Sequence, residues 1–398
     1  MTIAEGTLTD LLTDVRRVAS ERLAPIAHAG TDGRVNRDLL RALSTEGVLG
    51  MLFPGHGTDG AQTTAETICL LREALAYGCV EAEVALAMQG IGGYPVLQSG
   101  QRHHLDRWLG PLREGTAVAA FALTEPDAGS GAAALRLEAV ADGDGWRLHG
   151  TKMWTTNAPD ADFYTTFART TQGAGARGVT AFLVPADSPG LKATSVELFA
   201  PHPIGRLDFD SVRVTRADVL GEVDRGFRVA MKTFDLFRPS VGAAAVGMAQ
   251  AALDAAVRHT SQRQAFGQAL GRQQAVAHAL SDAATKLEAS RLLVRAAAAA
   301  HDSGDGRVTA KSAMAKLFAT ESAQQVIDTA FQFHGASGLR AGHLLEGLYR
   351  EIRASRIFEG ASEIQRDIIA RDLYRDTPIG RRAGGTAKAA ELSATGAN

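Results

Sequence analysis

Apolar positions recur at helical spacing from the start of the chain: Leu8, Leu11, Leu12, Val15, Val18, Ala19, Leu23 and Ile26. Asn36 reads as the N-cap of a second helix running to about residue 46. Pro54, Gly55, Gly57 and Gly60 mark a loop. Helical patterns resume over about 63–77 and 80–89, and Gly90-Ile91-Gly92-Gly93 is expected to break them before another helix at about 101–114. The pattern then changes. Short apolar runs at 117–123, 135–140, 146–149, 163–168, 179–184 and 207–214 read as strands, and Asp142-Gly143-Asp144-Gly145 reads as a hairpin turn. The helical period returns over about 226–260, 273–303, 308–334, 341–354 and 362–373, with short polar or glycine-rich breaks.

This order predicts an α+β chain of three domains. They are an N-terminal α-helical domain at 1–117, a middle antiparallel β domain at 118–225, and a C-terminal four-helix bundle at 226–375. The small, polar, glycine-rich end at 376–398 reads as a disordered tail. No internal repeat is evident.

Composition narrows the function. At 398 residues with 45% hydrophobic and 22% charged positions, the chain fits a multi-domain globular protein. A net charge of -2 without a basic stripe argues against nucleic-acid binding. Cys69 and Cys79 have neither metal-pair spacing nor a disulfide framework, and read as buried free thiols of a reducing compartment. The N-terminus lacks the apolar core of a secretion signal, and no run approaches 18 apolar residues, so no membrane span is read and a cytoplasmic location is expected. There is no P-loop, no Gly-x-Gly-x-x-Gly after a strand, and no paired Glu-x-x-His for a metal. His28, His56, His103, His104, His202, His259, His278, His301 and His343 are scattered and read as structural or solvated.

Candidate chemistry gathers in a few strings. Arg356-Ile357-Phe358-Glu359-Gly360-Ala361-Ser362 sets one carboxylate between an apolar pair and a glycine. Burial there would raise its pKa towards that of a general base, although such a triplet alone is more often a helix end with a solvated acid. Upstream lie Phe121-Ala122-Leu123-Thr124-Glu125-Pro126-Asp127-Ala128-Gly129-Ser130 and Gly150-Thr151-Lys152-Met153-Trp154-Thr155-Thr156-Asn157. Alone, the first is a strand ending in a turn, and the second a packed Trp-Thr strand. In this order and spacing the three strings resemble the acyl-CoA dehydrogenase family, and the resemblance runs from about residue 8 to about 375.

The resemblance implies FAD as cofactor and α,β-dehydrogenation of an acyl thioester. It places Phe121, Leu123 and Thr124 along the flavin ring, Trp154 packed on it, and Thr156 at its N5. Ser130 falls at the flavin phosphates or the substrate's pantetheine arm, but Gly131 stands where the family usually has Asp. Arg263 and Phe266, with Gln332 and Gly335, are placed on the adenosine diphosphate half of a flavin held mainly by a neighbouring subunit, with Ala336 replacing a usual glycine. Asp235, Arg238 and Gly360 are placed on the substrate. Glu359 would be the base, because Phe237 occupies the position where some branches carry theirs. A homo-oligomer follows, a dimer or a tetramer built as a dimer of dimers, with an electron-transfer flavoprotein as acceptor. The short segment Phe199–Arg206 resembles a compact form found in relatives from polyketide pathways, so a carrier-protein thioester stands beside acyl-CoA as substrate. Phe237 and the glycines at 90, 92 and 93 are placed around the acyl pocket. Two other readings stay open: a flavin oxidase or monooxygenase on this scaffold, and a non-catalytic scaffold paralogue.

Overall fold

The computed structural model describes residues 8–55 and 63–377 apart from Asp376. The expected tail beyond Thr377, the loop glycines Gly57 and Gly60, and His56 lie outside the described residues.

The N-terminal helices are α1 (Leu8–Val18), α2 (Ala24–His28), α3 (Arg37–Thr45), α4 (Val48–Leu52), α5 (Ala65–Gly78), α6 (Val80–Ser99) and α7 (Arg102–Arg113). A π-helical turn, Ala19–Leu23, joins α1 to α2 without a break in the helical dihedrals, and it falls just before Pro25, which has no N–H to continue the ladder. Asn36 caps α3 by accepting the Leu39 N–H at 2.9 Å, as its position predicts, and Thr64 caps α5 through Thr67 N. The expected break at Gly90–Gly93 is absent, and α6 runs straight through it. These glycines bring neighbours close instead. A Cβ on Gly92 would stand 2.7 Å from the backbone of Ala119 and Ala120, and one on Gly90 would stand 2.5 Å from the Phe237 ring.

The middle sheet has eight strands: β1 (Ala119–Ala122), β2 (Glu138–Asp142), β3 (Gly145–Thr156), β4 (Phe163–Arg169), β5 (Val179–Pro185), β6 (Leu191–Ser195), β7 (Ile204–Thr215) and β8 (Val219–Leu220). The path is β6-β7-β3-β2-β4-β5-β8, with β1 on β4. The sheet is mixed, which corrects the expectation of an antiparallel one: β1 and β2 both pair with β4 in parallel. The connection from β1 to β4 holds the whole β2–β3 hairpin and is long enough for the crossover that parallel pairing requires. Gly143, at φ +62°, makes the hairpin turn.

The bundle is built from α8 (Gly226–Gln262), α9 (Gln274–Asp302), α10 (Val308–His334), α11 (Leu344–Ser355) and α12 (Ser362–Leu373). A two-residue hairpin, β9 (Gln264–Ala265) with β10 (Gln268–Ala269), links α8 to α9. By length and composition α8 could cross a membrane, but 83% of its apolar window is buried inside the protein, so it serves as the core helix. It packs on α9, α10 and α5, where Gly247 lets the backbone of Glu73 approach. Cys69 and Cys79 are buried and free, and burial pushes the Cys79 thiol up to about 12.

Candidate active site

Glu359 sits in the turn between α11 and α12, at φ +51°, followed by Gly360 at φ +92°. A left-handed glutamate is uncommon and is kept only where surroundings hold it. Lys316, fully buried on α10, holds this one. Its Nζ donates to the carbonyls on either side, Phe358 O at 3.1 Å and Gly360 O at 2.7 Å. Gln365 Nε2 also donates to Gly360 O, at 2.8 Å. Part of the Glu359 residue reaches solvent, yet both carboxylate oxygens are buried and neither has a hydrogen-bond partner. Burial drives the Glu359 pKa above the usual carboxylate range, opposed by the charges of Arg72, Lys316 and Arg238. Burial also pushes Lys316 down to about 8. The Glu359 backbone N–H likewise finds no acceptor among the described residues.

Arg238 is 8% exposed, and its Nη1 lies 3.4 Å from Asp235 one turn earlier on α8. Phe237 is fully buried, edge-on to Tyr94 at 5.8 Å. Gly90 and Gly93 are filled by Phe237 and Phe53, so these glycines make helix contacts rather than open space.

The second group forms where β1 ends beside β3. Met153 N donates to Thr124 O at 2.8 Å, bringing Thr124 alongside Trp154 and Thr156. A register shift between Lys152 and Thr155 bulges β3. Trp154 sits in that bulge at φ +59°, 50% exposed, which is how a bulge re-aims a side chain outward. Phe121 lies apart, packed between Phe167 and Phe234 at 4.8 and 5.5 Å. Leu123 is buried, and Ser130 is exposed on the following turn.

Sequence reasoning missed the support under this ledge. Lys152 is fully buried, and its Nζ donates to Leu123 O at 3.0 Å and to Glu125 at 2.8 Å. Glu125 in turn accepts from the Arg136 and Leu137 N–H groups. Desolvation pushes Lys152 down to about 8 against the pull of Glu125. The only sequence signal was a lysine on the inward phase of a strand. Lys316 was missed because a lysine within a helical period reads as solvated.

The third group lies at the C-terminal ends of α8 and α10. Arg263 is exposed and forms no ion pair among the described residues. Phe266, at φ +53° in the β9–β10 turn, is 93% exposed, and Gln332 and Gly335 are exposed nearby. His259 stacks on His334 at 4.4 Å, and His334 meets His343 at 5.2 Å. His202 bonds Glu351 at 2.6 Å, and Arg350 donates to Phe199 O, so the Phe199–Arg206 segment is pinned to α11. No group of three or more metal-ligating side chains is present among the described residues.

Three family models match in tandem: the N-terminal, middle and C-terminal domains of acyl-CoA dehydrogenase, at residues 7–116, 120–212 and 224–386. A cyclohexane-1-carbonyl-CoA dehydrogenase of Geobacter metallireducens is 37% identical over 367 residues, covering 91% of this chain and 96% of the relative. The chain belongs to the acyl-CoA dehydrogenase family. Among solved members, butyryl-CoA dehydrogenase from Megasphaera elsdenii superposes with a TM-score of 0.85 at 30% identity, over 94% of this chain and 100% of that one. The FAD complex of PigA superposes at 0.87 with 27% identity, over 94% and 99%. Family membership fits the site chemistry. The Thr124–Trp154–Thr156 ledge offers an exposed indole and polar groups to a flat ring, and Arg263 offers a phosphate an exposed guanidinium that forms no ion pair among the described residues.

Proposed function

We propose that this oxidoreductase acts on the CH–CH bond of an acyl-CoA, with Glu359 removing the α-proton. The observation that carries this reading is the pair of buried carboxylate oxygens with no hydrogen-bond partner. A carboxylate with nothing to hold it, raised above its usual range by burial, is a base waiting for a proton. The cofactor is FAD, as in the solved FAD complex of the family, and when bound it accepts the β-hydride at its N5. The bond balance is simple. The α-proton passes to Glu359, the β-hydride leaves with its electron pair, and a Cα=Cβ double bond forms.

The chain's own groups prepare that step. The free Glu359 N–H is available to the thioester oxygen as enolate charge develops, a contribution of about 3 kcal/mol for a well-placed donor. Lys316 and Gln365 lock the turn that presents both the carboxylate and this N–H. Asp235, Arg238, Gly360 and Ser130 take the substrate's arm and carbonyl end. Leu123, Thr124, Trp154 and Thr156 line the flavin ring, while Phe121 stays apart between Phe167 and Phe234. Arg263, Phe266, Gln332 and Gly335 hold the adenosine diphosphate half from a second copy of the chain, in a dimer or a tetramer. An electron-transfer flavoprotein takes the electrons onward, in the cytoplasm.

The test is anaerobic titration of the flavoprotein with short, branched and medium acyl-CoAs, and with the same acyl groups on a carrier protein. Bleaching by one thioester is expected, and bleaching only by the carrier form would assign a biosynthetic substrate. Glu359→Gln should keep its flavin and reduce it about 100- to 10,000-fold more slowly. Full-rate reduction by that variant would remove Glu359 as the base. A flavin that no thioester bleaches would point to an oxidase or monooxygenase.

A further inference from the structure

The Thr124–Trp154–Thr156 ledge and the Glu359 turn belong to different domains, the ledge to the middle sheet and the turn to the bundle. A short segment joins them on the β3–β7 side. Residues 199–203 lead into β7, and β7 pairs with β3 at the ledge itself, Gly205 opposite Thr155 and Ile204 opposite Thr156. Asn157 N donates to Pro203 O at 2.7 Å, which carries the pairing past the ends of both strands. Helix α11 holds the other end of the segment. His202 Nε2 lies 2.6 Å from Glu351 Oε2, and Arg350 Nη1 donates to Phe199 O at 2.9 Å. An ionised carboxylate only accepts, so the imidazole is the donor. Gly33 N, between α2 and α3, donates to Pro201 O at 3.1 Å, so three domains meet on this segment.

Glu351 lies on the helix that ends at Ser355, just before the Glu359 turn. Leu345, Leu348 and Ile352 seat that helix in the core, and Phe358 N donates to Ala354 O at 3.1 Å, so the turn continues from its end. Contacts therefore run unbroken from the ledge, through residues 202–205 and Glu351, to the base. Helix α8 also meets the sheet, but at β5, three strands from β3, where a Cβ on Gly226 would stand 2.2 Å from Ala181 N. The His202 and Glu351 side chains are 17% and 14% exposed, and a pair so placed contributes little net stability but a fixed direction. Burial would lower the His202 pKa, but the hydrogen bond and charge of Glu351, with the charges of Glu81 and Glu83, raise it overall, which favours a charge-assisted bond. Dehydrogenation sends a proton and a hydride from one substrate to groups on these two domains. The spacing of turn and ledge thus enters the rate directly, and a misplacement of about 1 Å can cost about 100-fold. We propose that His202, bonded to Glu351, is a positioning residue that sets the spacing of the Glu359 turn from the flavin ledge. This deepens the dehydrogenase reading and rests on it.

Two variants of the flavoprotein test it. His202→Ala breaks the bond, and His202→Gln supplies an amide Nε2 that can donate to Glu351 in place of the ring. Single-turnover rates are taken per bound flavin, so a loss of folded protein does not register. At saturating thioester, His202→Ala should reduce its flavin about 10- to 100-fold more slowly with its half-saturating concentration unchanged, and His202→Gln should recover most of that loss. Parent-rate reduction in His202→Ala, a loss confined to half-saturation, or no recovery in His202→Gln would overturn the proposal. Hydrogen exchange without thioester gives the second readout. In His202→Ala, protection should fall together in residues 199–206, at the 155–157 ledge and in the 354–361 turn. A change confined to 199–206 would show that the bond transmits nothing to the base, and overturns the proposal whatever the rates. Should His202→Ala not fold, Glu351→Ala breaks the same bond from the helix side and is read in the same way. If no thioester reduces the parent flavin, the dehydrogenase reading fails and exchange decides alone. Joint loss of protection would then sustain the link between ledge and turn, and a confined loss would remove it.

Discussion

Glu359 combines a left-handed backbone with two buried, unbonded oxygens, so the folded chain holds unfavourable free energy at this one residue. Burial holds its folded pKa above that of the same carboxyl in the unfolded chain. Between those two values the folded state binds more protons than the unfolded one, so stability falls as pH rises through the folded pKa. Below the unfolded value both states are protonated and the penalty vanishes. Glu359→Gln, which cannot ionise, should therefore be more stable than the parent at mildly alkaline pH. The two should converge as the pH falls towards the ordinary carboxylate range. Thermal unfolding across that range reads the difference directly. A glutamine variant equal to or weaker than the parent at every pH would mean that the carboxylate finds a partner in solution. Gain of stability with loss of turnover is the trade expected if Glu359 is, as proposed, a base kept free for its substrate.

Helix α6 shows what a glycine cluster means once elements pack. In sequence, Gly90-Ile91-Gly92-Gly93 reads as a break because glycine costs a helix about 1 kcal/mol relative to alanine. The helix continues because those positions face β1, Phe237 and Phe53 at distances that admit no Cβ. Gly92→Ala should destabilise the protein by about 1–3 kcal/mol, since the clash is with the backbone of Ala119 and Ala120 and not with a side chain that can turn. Because β1 leads directly into the Thr124 ledge, flavin retention should fall with it. Gly347→Ala on α11, with nothing within 4 Å of the added methyl, is the control and should be neutral or stabilising. Equal urea midpoints for the two variants would refute the close-packing account. The bundle was legible for the opposite reason. Helices α8 to α12 carry a sustained 3.6-residue apolar period, and their ends fall within three residues of those the pattern predicts. The strands were less legible. Strand β6 is mostly exposed and has no apolar phase, and the bulge at Trp154 interrupts the alternation that would have extended β3 to Thr156. Parallel pairing of β1 and β2 with β4 depends on the path of the chain, which local pattern does not encode.

At the scale of the whole molecule, the sequence strings named the candidate residues but not their relation. Glu359 was legible as a carboxylate in apolar company, whereas its burial depends on contacts far along the chain. Lys316, whose ammonium grips the carbonyls on either side of it, lies 43 positions before it. Buried charges such as Lys152, Lys316 and Arg72 follow ordinary amphipathic spacing, so only the assembled fold distinguishes them from solvated ones. Arg263 and Phe266 present the reverse case, because the fold leaves them uncovered. Phe266 and Gly267, at φ +53° and +78°, form the centre of the tight β9–β10 turn, and the phenylalanine ring is almost wholly in solvent. A large ring at a strained position, beside a guanidinium that meets no carboxylate among the described residues, suits a contact with something outside the chain. With FAD and a second copy as the partners, the two residues separate in their effects. If this turn meets a second copy, as proposed, Phe266→Asp should weaken self-association and FAD retention together through loss of that apolar contact. Arg263→Met should leave the assembly intact and weaken FAD binding about 10- to 150-fold, the equivalent of one charge-assisted hydrogen bond of about 1.5–3 kcal/mol. Sedimentation velocity and flavin content, measured on the same preparations, decide between outcomes. If Arg263→Met keeps full flavin occupancy through dilution, the arginine does not contact the phosphates. If Phe266→Asp keeps both the assembly and the flavin, the exposed turn faces solvent in the working protein, and the adenosine half must be held elsewhere.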